Sequence, residues 1–215
     1  MTTNFPADAA PIKLHRVAKS GHSHRAELML AFLDLPYETV EVDMANGAHK
    51  APEFLAISPF GQVPAIDDNG TMLSDSNGII AYLADRYGDT AEWTGRDPVE
   101  TAQIQRWLSV AAGEIFAGPC CARLVTVFGA PFDHEACIAK SHALFEVIES
   151  HLEGKSFLVA ERLTLADVAG YTYIAHAPEG GVSLDAYPNI RSWLANVEAQ
   201  PRFVGMVSSP VPAAA

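Results

Sequence analysis

The chain of 215 residues has only three cysteines, Cys120, Cys121 and Cys137, and no Cys-x-x-Cys pair. So sparse and odd a set excludes a disulfide-stapled scaffold and fits a reducing compartment. Positive charge is also scarce: 14 Lys and Arg face 26 Asp and Glu, a formal net charge of −12. Such a balance repels phosphate backbones and anionic lipid, so neither nucleic acid nor a membrane surface is an expected partner. No glycine-rich nucleotide-binding loop of the Gly-x-Gly-x-x-Gly or Gly-x-x-x-x-Gly-Lys type occurs, and no internal repeat. No apolar run reads as a membrane span, and the opening MTTNFPADAAP lacks the basic and apolar regions of a leader, so a cytoplasmic protein is expected. His22 and His24 form a His-x-His without a third ligand at fitting spacing, and no metal is expected.

What is present is a globular composition, 49% hydrophobic and 19% charged, with length enough for two small domains. Residues 1–11 read as an unstructured lead-in. Ile12, Leu14 and Val17 suggest a strand, and a Gly-containing turn follows. Ala26 to Leu35 form a helix with Ser23 as its expected N-cap and Pro36 as its stop. Tyr37 to Val42 alternates as a second strand, and Pro52 to Ile57 reads as a short helix.

The most informative stretch is 60–87, FGQVPAIDDNGTMLSDSNGIIAYLADRY. Asn69-Gly70 is a two-residue hairpin signal between apolar segments. Pro64 cannot donate to a ladder, so it belongs at the first residue of a strand or in a tight turn, where a cis peptide is tolerated. A Val63-Pro64 unit placed there presents the Val63 backbone to a peptide-like ligand. Ile79, Ile80, Leu83 and Tyr87 then fall at helical spacing, with Ser76 expected as N-cap and Asp75 ahead of it. Free N–H groups at a helix start favour an anion and a carboxylate beside them favours an ammonium, a pair that suits an α-amino-acid end. The predicted order is βαβαββα, an α/β layer with a mixed sheet.

Strand signals vanish after the polar segment 88–98, the expected linker between a first domain over 1–87 and an all-α domain over 99–215. Helices are expected over 99–117, kinked or continued past Gly118-Pro119 to Phe128, from Asp133 to Leu152, from Thr164, and over 189–199. Thr164 and Asp167 read as an Asp version of the capping box, with Asp167 buried and hydrogen-bonded.

Together these motifs, in this order and spacing from about Ile12 to Met206, resemble the cytosolic glutathione transferase family, with a serine-like active site of bacterial type. The resemblance implies a thioredoxin-like glutathione-binding domain, a helical domain contributing the electrophile site, and glutathione as co-substrate, with no metal. It further implies a homodimer and conjugation chemistry of the kind used in detoxification. Within the family's pattern, Asp75 and Ser76 hold the γ-glutamyl end, Val63 and Pro64 the peptide, His49 (with Lys50 in reserve) the glycyl end, and Gln62 adds a contact. Ser20 resembles the catalytic hydroxyl that stabilises the glutathione thiolate. His22 stands where some relatives carry a catalytic Cys, which rules out a mixed disulfide there and leaves it a donor, a base or a bystander. Ser23 is a third candidate.

The chemistry needs such a group. A thiol of pKa about 8.5 is only a few per cent thiolate at neutral pH, and lowering that value by about two units is worth about 2.7 kcal/mol. Lys13, Arg16, Lys19 and Arg25, with three His and no acid between 12 and 25, suggest local positive potential for an anionic ligand. Trp107, Phe116 and Arg123, then Phe128, Tyr173 and His176, are candidates to line an electrophile site, although helical aromatics are more often core. A glutathione-dependent peroxidase, isomerase or disulfide-bond reductase, and a non-catalytic binding or regulatory relative, are the alternative functions.

Overall fold

The computed structural model describes residues 5–6 and 8–212; part of the expected lead-in (1–4 and 7) and of the expected loose tail (213–215) lies outside them. The chain divides into two compact units, residues 1–94 with 201–207, and residues 95–200 with 208–215.

The first unit runs β1 (Ile12–Arg16), α1 (Gly21–Phe32), β2 (Tyr37–Glu41), a 3-10 turn (Ala48–Lys50), α2 (Pro52–Leu55), β3 (Ala65–Asp68), β4 (Thr71–Ser74), α3 (Ser76–Tyr87) and α4 (Thr90–Thr94). The sheet order is β2-β1-β3-β4, with β1 and β2 parallel and the other two neighbouring pairs antiparallel. The helix between β1 and β2 is what makes that pair parallel. Strand alternation divides the core. Ile12 and Leu14 are fully buried with Ala26, Met29 and Leu30 of α1 and Ile79, Ile80 and Leu83 of α3. His15, one residue on, meets the Phe54 ring of α2 edge-on. Asn69 and Gly70 turn β3 into β4 with φ of 50° and 95°, the left-handed pair that a two-residue hairpin requires.

Two helix starts differ from expectation by a few residues. Helix α1 begins at Gly21, so Ser20 is its N-cap and accepts from the Ser23 N–H; Ser23 itself is buried inside the first turn. A Ser-x-x-Ser sequence offers two capping hydroxyls, and the one nearer the strand takes the position. Likewise Asp75, not Ser76, caps α3, accepting from the Gly78 N–H at 2.7 Å. The helix α1 also ends at Phe32, ahead of Pro36, with Asp34 at φ 56° making the turn.

The second unit contains α5 (Pro98–Ala112), a π turn (Phe116–Cys120), α6 (Cys121–Phe128), α7 (His134–His151), α8 (Leu165–Ala175), a 3-10 turn (Ala177–Gly180) and α9 (Pro188–Glu198). Contrary to the reading of the sequence, the helical stretch 98–128 is long and apolar enough to pass for a membrane span by length and composition. Its apolar side is nevertheless the core face of this unit: Ile104, Trp107, Leu108, Ala111 and Ile115 are buried. Around Gly118 the π turn approaches α7 so closely that a Cβ there would stand 3.1 Å from Ser141 Oγ and 3.2 Å from its Cα.

Asp167 organises the second unit. It is fully buried at the start of α8, and its carboxylate accepts from the backbone N–H of Thr164 and Leu158, the Thr164 hydroxyl and the Trp193 indole, all within 3.0 Å. The capping box is present as the sequence suggests. Four donors from three segments are therefore satisfied by one side chain. Truncating it (Asp167→Ala) leaves them unpaired in the core and should cost about 3 kcal/mol or more. Urea unfolding followed by far-UV circular dichroism checks this, and a loss under about 1 kcal/mol would show that the network is dispensable.

Candidate functional site

Two helix starts meet in the first unit, and they meet because of three side chains. Arg25, on α1 and 1% exposed, donates through Nη1 to Ser76 Oγ at 2.8 Å and to Asn77 Oδ1 at 2.9 Å, both in the first turn of α3. His22, in the first turn of α1, places Nδ1 3.2 Å from the same Ser76 hydroxyl. Ser20 caps α1 two residues before His22, and Asp75 caps α3 one residue before Ser76. The N-terminal ends of two helices of twelve residues each are thus held together, and each carries partial positive charge. No acid occupies the first turn of either.

Ser20 Oγ accepts from Ser23 N–H at 3.3 Å, which leaves its own O–H to donate. The Ser76 oxygen accepts from Arg25, so its proton is available to His22 or to an incoming anion. Asp75 has φ 80° and ψ 123°, a backbone conformation that costs a non-glycine residue of the order of 1–3 kcal/mol and is characteristic of functional sites. Its carboxylate is exposed, with one oxygen committed to Gly78.

Burial first, and the Arg25 charge second, push the His22 pKa from its usual 6.5 down to about 3. The ring is neutral at physiological pH, so Nδ1 can carry the proton and donate to Ser76 Oγ, leaving the Ser76 O–H for a ligand, and the ring is excluded as a cation for a thiolate. The expected positive patch is also weaker than the sequence suggests. Arg16 is neutralised by Glu27 at 2.5 Å and Glu41 at 2.8 Å, acids that lie outside 12–25 and reach it through the fold. His24 bonds to the Val204 carbonyl at 2.8 Å, and His15 is lowered in pKa chiefly by burial.

The remaining candidates cluster on the other loop of the first unit. The Val63–Pro64 peptide is cis, immediately before β3. Gln62 is exposed, and its backbone is held by Ser58 Oγ at both N–H and C=O. Lys50 donates to the Phe60 carbonyl at 3.3 Å. A side chain at Gly61 would meet the His49 carbonyl at 2.6 Å, so glycine lets the two loops close on each other. His49 Nδ1 is buried with no hydrogen-bond partner among the described residues.

The three leading electrophile candidates of the second unit are not brought together. Trp107 walls an apolar groove of about 570 Å³ between α5 and α7, with Val110, Ala117, Leu144 and Ile148. Phe116 is 39% exposed on the π turn. Arg123 is fully buried, bonded through Nε to Glu179 at 2.6 Å. That carboxylate also receives His176 at 2.6 Å and the Ser209 N–H at 3.0 Å, and Tyr173 is core. Sequence reasoning missed Arg25 as the residue joining the helix starts; a basic residue at core spacing within an apolar helix was the available signal. Among the described residues no group of three or more His, Cys, Asp or Glu could hold a metal.

The His22 pKa has a direct consequence. An unfolded His22 takes up a proton near its usual 6.5 and the folded one only near 3, so the folded state loses stability as the pH falls through that window. An NMR titration should find its ring midpoint near 3, and His22→Gln should flatten the acid limb of stability; a midpoint at 6.5 would contradict the enclosed, neutral ring.

The geometry has known counterparts. Residues 20–86 match the family described as glutathione S-transferase, N-terminal domain, and residues 128–201 match glutathione S-transferase, C-terminal domain. Glutathione S-transferase 3 of Zea mays is 31% identical over 94% of this chain and 96% of its own length. The probable glutathione S-transferase GSTF2 of Oryza sativa subsp. japonica is 32% identical over 89% and 94%. A solved structure of a possible glutathione S-transferase from Rhodopseudomonas palustris is 30% identical, with a TM-score of 0.84 over 95% of this chain and 94% of its own. One from Pseudomonas fluorescens is likewise 30% identical, with a TM-score of 0.84 over 93% and 100%. With both domain signatures in place and relatives matched nearly end to end, the chain belongs to the glutathione S-transferase family and is a glutathione transferase.

Proposed function

We propose that Ser20 activates glutathione for attack on a small, apolar electrophile, while the start of α3 holds the peptide's zwitterionic end. The observation that carries this reading is the junction of two helix N-termini through Arg25, His22 and Ser76. It supplies an unspent hydroxyl donor at one end and an anion-binding turn with an adjoining carboxylate at the other. The Ser20 O–H donates to the thiolate sulfur beside the partial positive charge of α1, which favours the ionised form. Ser76 O–H and the first N–H groups of α3 receive the γ-glutamyl carboxylate, and Asp75 receives the ammonium. His22, neutral, is a positioning residue for Ser76 rather than a base. His49, with its unpartnered Nδ1, and Lys50 take the glycyl end, and the Val63 backbone with Gln62 borders the peptide.

Phe116, exposed on the π turn, is the aromatic we assign to the electrophile; Arg123 has its charge already matched by Glu179. We assign the second copy of a homodimer to the open α5–α7 side, where Val147, 66% exposed, lines the groove walled by Trp107. The three free, buried cysteines suit a cytoplasmic setting.

Kinetics with glutathione and a panel of electrophiles test the division of labour. Ser20→Ala should lower kcat about ten- to a hundredfold with little change in KM for glutathione, the worth of one hydrogen bond to a charged group. Ser76→Ala should do the converse, raising KM by a similar factor. Unchanged turnover in Ser20→Ala moves the thiolate contact elsewhere in the turn.

A further inference from the structure

The residues just ahead of Val63 read Ser58-Pro59-Phe60-Gly61-Gln62, with serine, proline and glycine at the places a β-turn favours. The structure closes that turn: the Gly61 N–H donates to the Ser58 carbonyl at 2.8 Å, and Gly61 takes φ 62°. Packing does little for the tip, where Pro59 is exposed and Phe60 is 81% exposed. The base is different. Ser58 is 1% exposed, and its polar groups are all committed within a few residues. Its N–H donates to the Phe54 carbonyl of α2 at 2.8 Å. Its hydroxyl donates to the Gln62 carbonyl at 2.8 Å and accepts from the Gln62 N–H at 3.2 Å. One small side chain thus takes both backbone groups of the residue before Val63.

The peptide joining Gln62 to Val63 is trans and planar, so its C=O and N–H point to opposite sides. Turning the Gln62 carbonyl onto the buried Ser58 hydroxyl therefore turns the Val63 N–H away from it. Neither the N–H nor the C=O of Val63 has a hydrogen-bond partner among the described residues, while its side chain packs on the cluster of Val42, Phe54 and Ala65. Backbone groups are seldom left unpaired; two on one half-buried residue, beside a fixed peptide plane, are groups kept for a ligand. The same turn meets the loop of His49 and Lys50, through the Lys50 bond to the Phe60 carbonyl and the close approach of Gly61 to the His49 carbonyl.

We propose that Ser58 is a positioning residue for glutathione: it fixes the Gln62–Val63 peptide plane so that the Val63 N–H donates to the cysteinyl carbonyl of the tripeptide. This rests on the reading that the Val63 backbone borders the peptide while His49 and Lys50 take its glycyl end; the carbonyl next to glycine is then the one that reaches Val63. Replacing Ser58 by alanine leaves the Gln62 N–H and C=O without partners at a base closed to water, and the plane must rotate to satisfy them. That rotation takes the Val63 N–H off the ligand. Ser20 lies on a different turn, between β1 and α1, so the loss falls on affinity and not on turnover at saturation.

Calorimetry on the purified full-length chain, parent and Ser58→Ala, compares glutathione with an isostere that carries an alkene in place of the cysteinyl–glycine peptide. Ser58→Ala should bind glutathione about tenfold more weakly than the parent, the worth of one well-placed hydrogen bond. Its KM should rise by a similar factor while kcat changes less than about twofold. The parent should bind the isostere about tenfold more weakly than glutathione. Ser58→Ala should discriminate between the two by less than about threefold, because the contact that distinguishes them is already lost. Amide hydrogen exchange reads the same device in the parent without any substitution. The Gln62 N–H should exchange slowly with and without glutathione, and the Val63 N–H quickly without it and slowly with it. A Ser58→Ala chain that discriminates as strongly as the parent, a fall in kcat at unchanged KM, or a fast Gln62 amide in the free protein would overturn the proposal. A parent that binds both ligands equally would overturn it differently, by removing the reading of the Val63 backbone on which it rests.

Discussion

Much of the first unit follows from one buried cation. Arg25 has no route to solvent, and its guanidinium is spent on the hydroxyl and amide side chains that open α3. A charge in that position is tolerable only with good partners. Here those partners are the first two residues of a second helix, so the demand of the arginine for hydrogen bonds becomes a demand that α1 and α3 begin side by side. The sheet supplies the platform and the apolar faces of the two helices supply the adhesion. The arginine sets their register. Hydroxyl, imidazole and carboxylate then occupy fixed places around the join without needing any flexible loop to deliver them.

The electrostatics follow the same economy. A protein of net charge −12 offers an anion, at this junction, helix dipoles and a sequestered guanidinium rather than a basic surface. The obvious surface cation, Arg16, is quenched by two acids, and the histidine nearest the site is kept neutral by burial and by Arg25. What is left is short-ranged and directional. Such a field acts on a group already at the helix starts rather than on one at a distance.

The sequence was most legible where local chemistry has a single solution. Asn69-Gly70, Thr164 with Asp167 and the apolar spacing of α1, α3, α5 and α7 each predict what the fold contains, and the mixed sheet follows from their order. It was least legible where two neighbouring residues compete for one role. Ser20 and Ser23, like Asp75 and Ser76, are equivalent as caps until the preceding strand fixes the path of the chain, and the path selects the first of each pair. Contacts remote in sequence were illegible altogether. Nothing near Arg16 or Arg123 announces Glu41 or Glu179 as its partner, so a count of local charge overstated the basic patch and left Arg123 free for a ligand that the fold gives it no room to meet.

The π turn at Phe116–Cys120 illustrates how such a chain accommodates two masters along one rod. Each residue added to a helix advances the azimuth of everything beyond it by about 100°, so a wide turn acts as an angular gear between the α5 face that meets Trp107's neighbours and the α6 face that meets Glu179. Descendants of this chain could gain or lose one residue at that gear and re-aim the exposed Phe116 rim, leaving the capping network around Asp167 untouched.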